Sequence, residues 1–191
     1  MLLLLILILS SPSGAGKTTL AKKIIDLDPT FKLSVSCTTR KPRENEVDGV
    51  DYKFLSIEEF NKFKFKDLFL EHAEVFGNYY GTLKSEIQEN QKLGLNLIFD
   101  IDWQGTEQIV QSGIKDLVTV FILPPSIIEL ENRLKKREQN NKQEISKRMY
   151  FAKKEISHWK DYKYVLINKD LQQTVDCLIT IIKLENRNNF N

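Results

Sequence analysis

The stretch MLLLLILILSSPSGAGKTT, residues 1–19, decides the fold of this chain. Its run of Leu and Ile, residues 2–9, is about half the length that a bilayer span needs. No basic segment precedes this run, and no small-residue cleavage pattern follows it. A continuous apolar run that ends in a glycine-rich turn is typical of a strand buried on both faces of a parallel sheet. We therefore predict a buried β-strand, no membrane association and a cytoplasmic protein.

The segment after this strand nearly matches the P-loop pattern Gly-x4-Gly-Lys-Ser/Thr. Gly14 and Gly16 allow backbone N–H groups to converge on phosphate oxygens, and a helix that begins near Gly16 directs its positive end at the same anion. Lys17 supplies a positive charge for the β- and γ-phosphates, and the Thr18 hydroxyl can bind Mg²⁺. The residues predicted to bind the nucleotide phosphates are Ser11, Pro12, Ser13, Gly14, Ala15, Gly16, Lys17, Thr18 and Thr19.

Ser11 stands where the pattern has its first glycine. If that position requires a positive φ, a serine there carries a strain of about 1–3 kcal/mol. If the position has a negative φ, the serine is neutral. The sequence leaves both alternatives open.

The rest of the chain alternates apolar strands with amphipathic helices, which predicts an α/β core with a parallel sheet flanked by helices. The predicted strands cover residues 33–37, 95–101, 117–123 and 164–167, and the predicted helices include 105 onward, 144–158 and 171–184, with a frayed tail from 185. Residues 38–90 interrupt this alternation with a helix capped at Ser56, short antiparallel strands in 68–83 and a helix over 84–92. We therefore predict an inserted region at 38–90.

The overall charge argues against a general nucleic-acid binder, because 28 Lys and Arg against 26 Asp and Glu give a net charge of only +2. The basic residues are concentrated in residues 133–163. Cys37 and Cys177 are far apart and match no disulfide framework or metal-ligand spacing, so we expect both to be reduced. The sequence does not decide between a monomer and a homo-oligomer.

Four further motifs lie downstream of the P-loop: SCTTRKPR at 36–43, GVDY at 49–52, GNYYGT at 77–82 and DIDWQG at 100–105. In order and spacing, over about residues 5–170, they resemble the guanylate kinase family. The resemblance implies a P-loop NTPase core formed by residues 1–37, 91–132 and 150–191, a small α+β GMP-binding insertion at 38–90, and a helical lid at 133–149. It also implies Mg²⁺-assisted phosphorylation of GMP to GDP by ATP, with dGMP as a plausible second acceptor.

The segment around Pro42 provides groups for binding a phosphate. Arg40 and Arg43 supply two guanidinium forks for a phosphate dianion, and Tyr52 and Tyr80 can add O–H donors. The family resemblance implies that these four side chains bind the phosphate of GMP. The alternative is that the basic run is a solvated loop.

A site that selects guanine needs a carboxylate facing the N1 and N2 donors and a hydroxyl facing O6. By resemblance, Glu71 and Asp102 are the carboxylates, and Ser36 and Thr82 are the hydroxyls. Taken alone, Glu71 is more typical of a surface acid.

Asp100 ends a buried apolar strand at its carboxyl end, where α/β proteins place ligand sites. It resembles the acid that lies near Mg²⁺ in this family, together with Thr18. The alternative is that Asp100 caps the next helix.

Arg133, Arg137 and Arg148 match the arginines around the family's mobile lid. Phosphoryl transfer spreads negative charge over the transferred group, so the resemblance implies catalytic roles for Lys17, Arg43, Arg137 and Arg148. It further implies that Arg133, Arg137 and Asn168 contact ATP. The chain has Glu138 where family members commonly have glycine, which argues against lid mobility more than against the chemistry.

Two other functions compete with this interpretation. Related guanylate-kinase-like domains serve as protein-interaction modules, but these tend to lack the complete P-loop that Lys17 and Thr18 provide here. A nucleoside monophosphate kinase for another base would not require Glu71 with Asp102.

Overall fold

The computed structural model describes residues 5–138 and 142–188, without the side chains of residues 137, 138, 144, 187 and 188. The strands in these ranges are β1 (Ile6–Ser10), β2 (Phe31–Leu33), β3 (Cys37–Thr38), β4 (Lys53–Phe54), β5 (Phe69–Val75), β6 (Asn78–Leu83), β7 (Asn96–Asp100), β8 (Leu117–Leu123) and β9 (Tyr164–Ile167). The helices are α1 (Lys17–Leu27), α2 (Ile57–Phe65), α3 (Lys84–Lys92), α4 (Trp103–Gln111), α5 (Ile127–Glu138), α6 (Lys142–Ser157) and α7 (Leu171–Asn188). None of these described helices has both the length and the apolar character to cross a membrane.

The apolar run at the start of the chain forms the central strand of a parallel sheet with the order β2-β7-β1-β8-β9. Every residue of β1 is buried. Because side chains alternate along a strand, Leu7 and Leu9 pack toward helices α1 and α7, whereas Ile6 and Ile8 pack with Ile109 of α4 on the other face. The predicted α/β core with helices on both faces is confirmed.

Residues 37–83 form a second, smaller sheet with the order β4-β3-β6-β5. Strands β5 and β6 are an antiparallel hairpin, as predicted for this segment. Helix α2 covers the sheet by stacking Phe60 on Phe69 with ring centroids 4.4 Å apart. The predicted capping box at the start of α2 is present: Ser56 Oγ accepts from the Glu59 backbone, and the Glu59 carboxylate accepts from Ser56 N.

Three of the predicted element boundaries are wrong. The strand predicted over 33–37 is divided, because the chain leaves the core sheet after Leu33 and joins the second sheet at Cys37. Helix α4 begins at Trp103, two residues before the predicted start, because Asp102 Oδ1 caps it by accepting from Gly105 N at 3.0 Å. The tail predicted to fray from Glu185 instead continues α7, because this buried carboxylate accepts hydrogen bonds from core-sheet residues Lys163 and Tyr164.

Candidate functional site

The P-loop connects β1 to α1 at the carboxyl edge of the core sheet. Gly14 and Gly16 have φ values of 94° and 101°, a left-handed conformation that a side chain would strain. The Ala15 backbone N–H donates to Pro12 O at 3.1 Å and closes the loop. Helix α1 begins directly afterwards at Lys17, so its unpaired N–H groups face the space above the loop.

The structure decides between the two alternatives for Ser11. Among the described residues other than glycine, a positive φ occurs at Asp67, Phe76 and Asp116 and not at Ser11. The serine is buried, and its hydroxyl donates to the Pro12 carbonyl at 3.0 Å. Serine in place of the first P-loop glycine therefore introduces no left-handed strain.

Lys17 and Thr18 converge on Asp100, which ends the neighbouring strand β7. Lys17 Nζ lies 2.9 Å from Asp100 Oδ1, and the Thr18 hydroxyl donates to Asp100 Oδ2 at 2.6 Å. Burial by itself would lower the pKa of Lys17, but the adjacent Asp100 carboxylate outweighs it and the pKa is raised. The lysine is therefore fully charged at neutral pH. The helix cap considered for Asp100 is instead supplied by Asp102.

Asn168, which follows β9, lies buried beneath the P-loop. Its Nδ2 donates to Ala15 O at 2.8 Å, and its Oδ1 accepts from the Thr174 hydroxyl at 3.1 Å. A Cβ added at Gly16 would lie 2.6 Å from the Asn168 amide nitrogen, so that glycine also allows this close approach. Asn168 thus supports the loop in this structure, and its contact with an adenine base stays a prediction.

We expect Asn168→Ala to destabilise the nucleotide-free protein by about 1–3 kcal/mol, because the Ala15 carbonyl loses its 2.8 Å hydrogen bond and keeps only the longer contact with Arg133. Equilibrium denaturation without nucleotide measures this effect, and the exposed neighbour Lys169 provides the control Lys169→Ala. Unchanged stability of the Asn168 variant, with only ATP binding weakened, would contradict the supporting role.

Two arginines of the predicted lid contact the P-loop. Arg133 Nη1 donates to Ala15 O at 3.4 Å, while its Nε donates to the Glu129 carboxylate at 2.9 Å. Arg148 Nη1 donates to the Ser13 hydroxyl at 3.0 Å. The prediction for Arg137 lies outside the described residues, because the structure does not describe that side chain.

A second cluster lies on the small sheet and contains the predicted acceptor-phosphate residues. The Arg40 guanidinium lies over the Tyr52 ring at 5.2 Å, and the nearby Tyr80 hydroxyl helps to raise the pKa of Arg40. The rings of Tyr52 and Tyr80 meet edge to face with centroids 6.1 Å apart. Arg43 joins the cluster because it pairs with Glu46, the acid that also pairs with Arg40. The structure therefore brings together the four residues that the sequence grouped.

The hydroxyl of Tyr52 connects this cluster to the P-loop. Burial raises the pKa of Tyr52, the Asp100 carboxylate raises it further, and Lys17 and Arg40 act in the opposite direction. Tyr52 therefore interacts electrostatically with both Lys17 and Arg40. This supports the prediction that the donor and acceptor ends are adjacent.

Three of the predicted guanine-reading residues, Glu71, Thr82 and Ser36, lie in or beside the small sheet, whereas the fourth, Asp102, is the N-cap of α4. Glu71 of β5 is paired with Thr82 of β6, and the Thr82 hydroxyl lies 3.0 Å from the Ser36 hydroxyl. Only 3% of Glu71 is exposed, and burial raises its pKa to about 7 although hydrogen bonds from Thr82 oppose this shift. A Cβ at Gly105 would overlap the Glu71 carboxylate, so only glycine fits at this position in the first turn of α4. The surface location considered for Glu71 is wrong.

Comparison with known proteins identifies the family. The sequence model of the guanylate kinase family, described as "Guanylate kinase", matches residues 5–185. The chain is 48% identical to the guanylate kinase of Paramagnetospirillum magneticum over 95% of this chain and 85% of that protein. It is 46% identical to that of Rickettsia bellii, over 96% of this chain and 95% of the relative. The chain belongs to the guanylate kinase family.

A solved guanylate kinase structure, from Anaplasma phagocytophilum, has the same fold as this family member. The two superpose with a TM-score of 0.79 at 34% identity, over 97% of this chain and 88% of the other. The predicted fold class, a P-loop NTPase-like core with a parallel sheet flanked by helices, is confirmed.

The sequence interpretation of this guanylate kinase family member missed two acids beside the predicted site. Glu46 pairs with Arg40 and Arg43, and Glu155 of α6 accepts from Ser13 N at 3.3 Å. An acid three residues after Arg43 in a short loop was a usable signal for Glu46. Glu155 had no such signal, because only the docking of α6 onto the P-loop brings it there.

Proposed function

We propose that this chain transfers the γ-phosphoryl group of ATP to GMP, with dGMP as a second acceptor, and produces ADP and GDP. Membership of the guanylate kinase family supports this reaction, and the buried Glu71 beside Thr82 carries the choice of acceptor. A carboxylate enclosed in this way can accept the N1 and N2 hydrogens of guanine, whereas adenine has no N2 donor and presents an acceptor at N1.

The nucleophile in this reaction is an oxygen of the GMP phosphate, so no protein nucleophile is required. Arg40, Arg43, Tyr52 and Tyr80 would hold that phosphate, while the P-loop holds the ATP phosphates. The proximity of these four residues to the P-loop supports in-line transfer, since alignment of the two nucleotides accounts for much of the rate enhancement.

Cationic side chains stabilise the charge that spreads over the transferred group. Lys17 is held at the P-loop by Asp100, and Arg148 reaches the loop at Ser13. Arg43 contributes from the acceptor end, and Arg137 is assigned the same role by resemblance. Arg133, which contacts Ala15, would hold ATP, as would Asn168.

Thr18 and Asp100 are suited to hold Mg²⁺. A hydroxyl and a carboxylate in contact at 2.6 Å provide the hard oxygen ligands that this ion takes together with substrate phosphates. When bound, Mg²⁺ would neutralise charge on the β- and γ-phosphates. Because Asp100 also pairs with Lys17, ion and lysine would be held side by side.

We also propose a functional division of the chain. Residues 1–37, 91–132 and 150–191 form the ATP-binding core, 38–90 the GMP-binding insertion and 133–149 the lid. The separate small sheet at 37–83 supports the insertion. The contacts of Arg133 and Arg148 with the P-loop support the lid.

The acceptor assay tests the proposal most directly. Purified protein with ATP and Mg²⁺ is given GMP, dGMP, AMP, CMP or UMP, and ADP formation is measured. We expect kcat/KM for GMP to exceed that for AMP by about 10³-fold or more, because AMP would leave the buried Glu71 unpaired. Equal rates with AMP would favour a kinase for another base, and no turnover with any acceptor would favour a protein-interaction module.

A further inference from the structure

Glu46 is the centre of the acceptor-phosphate cluster, although neither the motifs nor the reaction call for an acid there. Its Oε1 and Oε2 lie 2.9 and 2.8 Å from Arg40 Nη2 and Nη1, which is a bidentate pair. Arg43 contributes its backbone N–H to Oε2 at 2.8 Å and its Nη1 to Oε1 at 3.4 Å. One carboxylate therefore fixes both guanidinium forks.

We propose that Glu46 is a positioning residue that presents Arg40 and Arg43 to the acceptor phosphate. This inference rests on the proposed function and deepens it. The opposite interpretation is that the carboxylate occupies the forks as a competitor of the phosphate. The two interpretations predict opposite changes in GMP affinity when Glu46 is neutralised.

The donor geometry of Arg40 favours positioning. A guanidinium has five N–H groups, and Arg40 directs two to Glu46 and a third to the Lys41 carbonyl at 2.7 Å. The groups not used in these bonds are Nε–H and one Nη2–H, which form the other bidentate edge of the fork. Tyr80 interacts electrostatically with Arg40, so a ligand on this guanidinium would also lie near that phenol.

The local chain also favours positioning. Glu46 N donates to Arg43 O at 3.1 Å, which closes a turn that places the carboxylate against the Arg43 backbone N–H. An incoming phosphate that displaced the carboxylate would also have to break this contact with the Arg43 backbone. The Arg40 guanidinium also contacts the rings of Tyr52 and Phe54, at 5.2 and 5.8 Å from their centroids. The side chains of Arg40 and Glu46 are each only 15% exposed.

Glu46 carries its charge at neutral pH. Burial by itself would raise its pKa, but the hydrogen bonds from Arg40 and from the Arg43 backbone outweigh it, and the pKa is lowered. Positioning thus places a negative charge close to the predicted binding site of a dianion. Simple electrostatics would penalise that placement, so a positioning role must supply more affinity through geometry than the charge removes.

The test compares Glu46→Gln with Glu44→Gln, which removes the same charge from an exposed position in the same loop. We expect Glu46→Gln to raise KM for GMP by about 10-fold to 100-fold, because the new amide N–H groups face the arginine donors and release both forks. KM for ATP is expected to stay unchanged. In Glu44→Gln, removing a nearby negative charge is expected to leave KM for GMP unchanged or slightly lower.

Guanosine distinguishes positioning from general damage to the site. Guanosine lacks the phosphate, so its inhibition constant against GMP turnover is expected to be the same in Glu46→Gln as in the unmodified protein. Weaker binding of both guanosine and GMP would assign Glu46 a structural role and overturn the proposal. Tighter binding of GMP would overturn it in favour of competition. Failure of the proposed function is seen separately, as lack of GMP turnover by the unmodified protein.

Discussion

Lys17→Ala is expected to lower kcat by about 10³-fold or more while leaving GMP affinity nearly unchanged. Lys17 is the charged side chain at the start of α1, held 2.9 Å from Asp100 at the predicted γ-phosphate position. Its charge is needed most when negative charge develops on the transferred group, so the effect falls on turnover rather than on the acceptor site. Steady-state kinetics in ATP and GMP, with separate GMP titrations, measure both quantities.

The control for this experiment is Lys22→Ala, which removes an exposed lysine from the same helix. Its kcat is expected to match that of the unmodified protein. Circular dichroism establishes that both variants retain their helices and strands. Turnover of Lys17→Ala within a few fold of the unmodified protein would refute the role assigned to this lysine.

Glu71→Gln is expected to remove most of the preference for guanine and, at the same time, to stabilise the nucleotide-free protein. An amide oxygen can accept one hydrogen bond from guanine where a carboxylate accepts from both N1 and N2, so kcat/KM for GMP should fall by about 10²-fold or more. A neutral amide also avoids the unfavourable burial of a charge. The two effects therefore have opposite signs.

The stability effect depends on pH in a defined direction. Burial raises the pKa of Glu71 to about 7 in the folded protein, above its ordinary value of 4.5. Between these values the folded state keeps a proton that the unfolded state has released, so stability falls as pH rises through this window. The resulting destabilisation of the folded protein is about 3 kcal/mol well above pH 7, and it is absent well below pH 4.5.

Denaturant unfolding at pH 5 and pH 8 tests this linkage. The stability advantage of Glu71→Gln over the unmodified protein is expected to be larger at pH 8 than at pH 5 by most of this amount, since part of the effect is already present at pH 5. Glu74→Gln, at an exposed position of the same strand, is the control and is expected to show no such change. An advantage for Glu71→Gln that does not vary with pH would contradict the buried carboxylate, whatever the kinetics show.

Local patterns predicted the core of this molecule well. The side chains of the apolar run at 2–9 can all be buried only in a strand that has helices on both faces. Strand β1 is accordingly the central strand of the core sheet. The P-loop could be predicted because Gly14 and Gly16 adopt a left-handed backbone conformation that is unfavourable for other residues. Both predictions rest on interactions within a few residues of one another.

Predictions failed where a distant segment sets the outcome. The predicted strand over 33–37 is divided because its two ends pair with different strands. Leu33 pairs with Ile98 of β7, and Cys37 pairs with Gly81 of β6. The end of α7 depends on Lys163 and Tyr164, which hold Glu185. Pairing across long separations leaves little trace in local composition or periodicity.

Contiguous residues were enough to predict the P-loop and the parallel core, because backbone conformation and hydrophobic burial depend on neighbours along the chain. The sequence also indicated Arg40 and Arg43 as phosphate-binding groups, and it indicated Glu71 as a guanine-binding group through the family resemblance. The tertiary structure alone decided that Glu71 is buried with a pKa near neutrality, that Asn168 supports Ala15, and that one carboxylate joins both arginines. The reason is physical: desolvation and charge pairing depend on distances between side chains, and folding fixes those distances only when separate elements pack together.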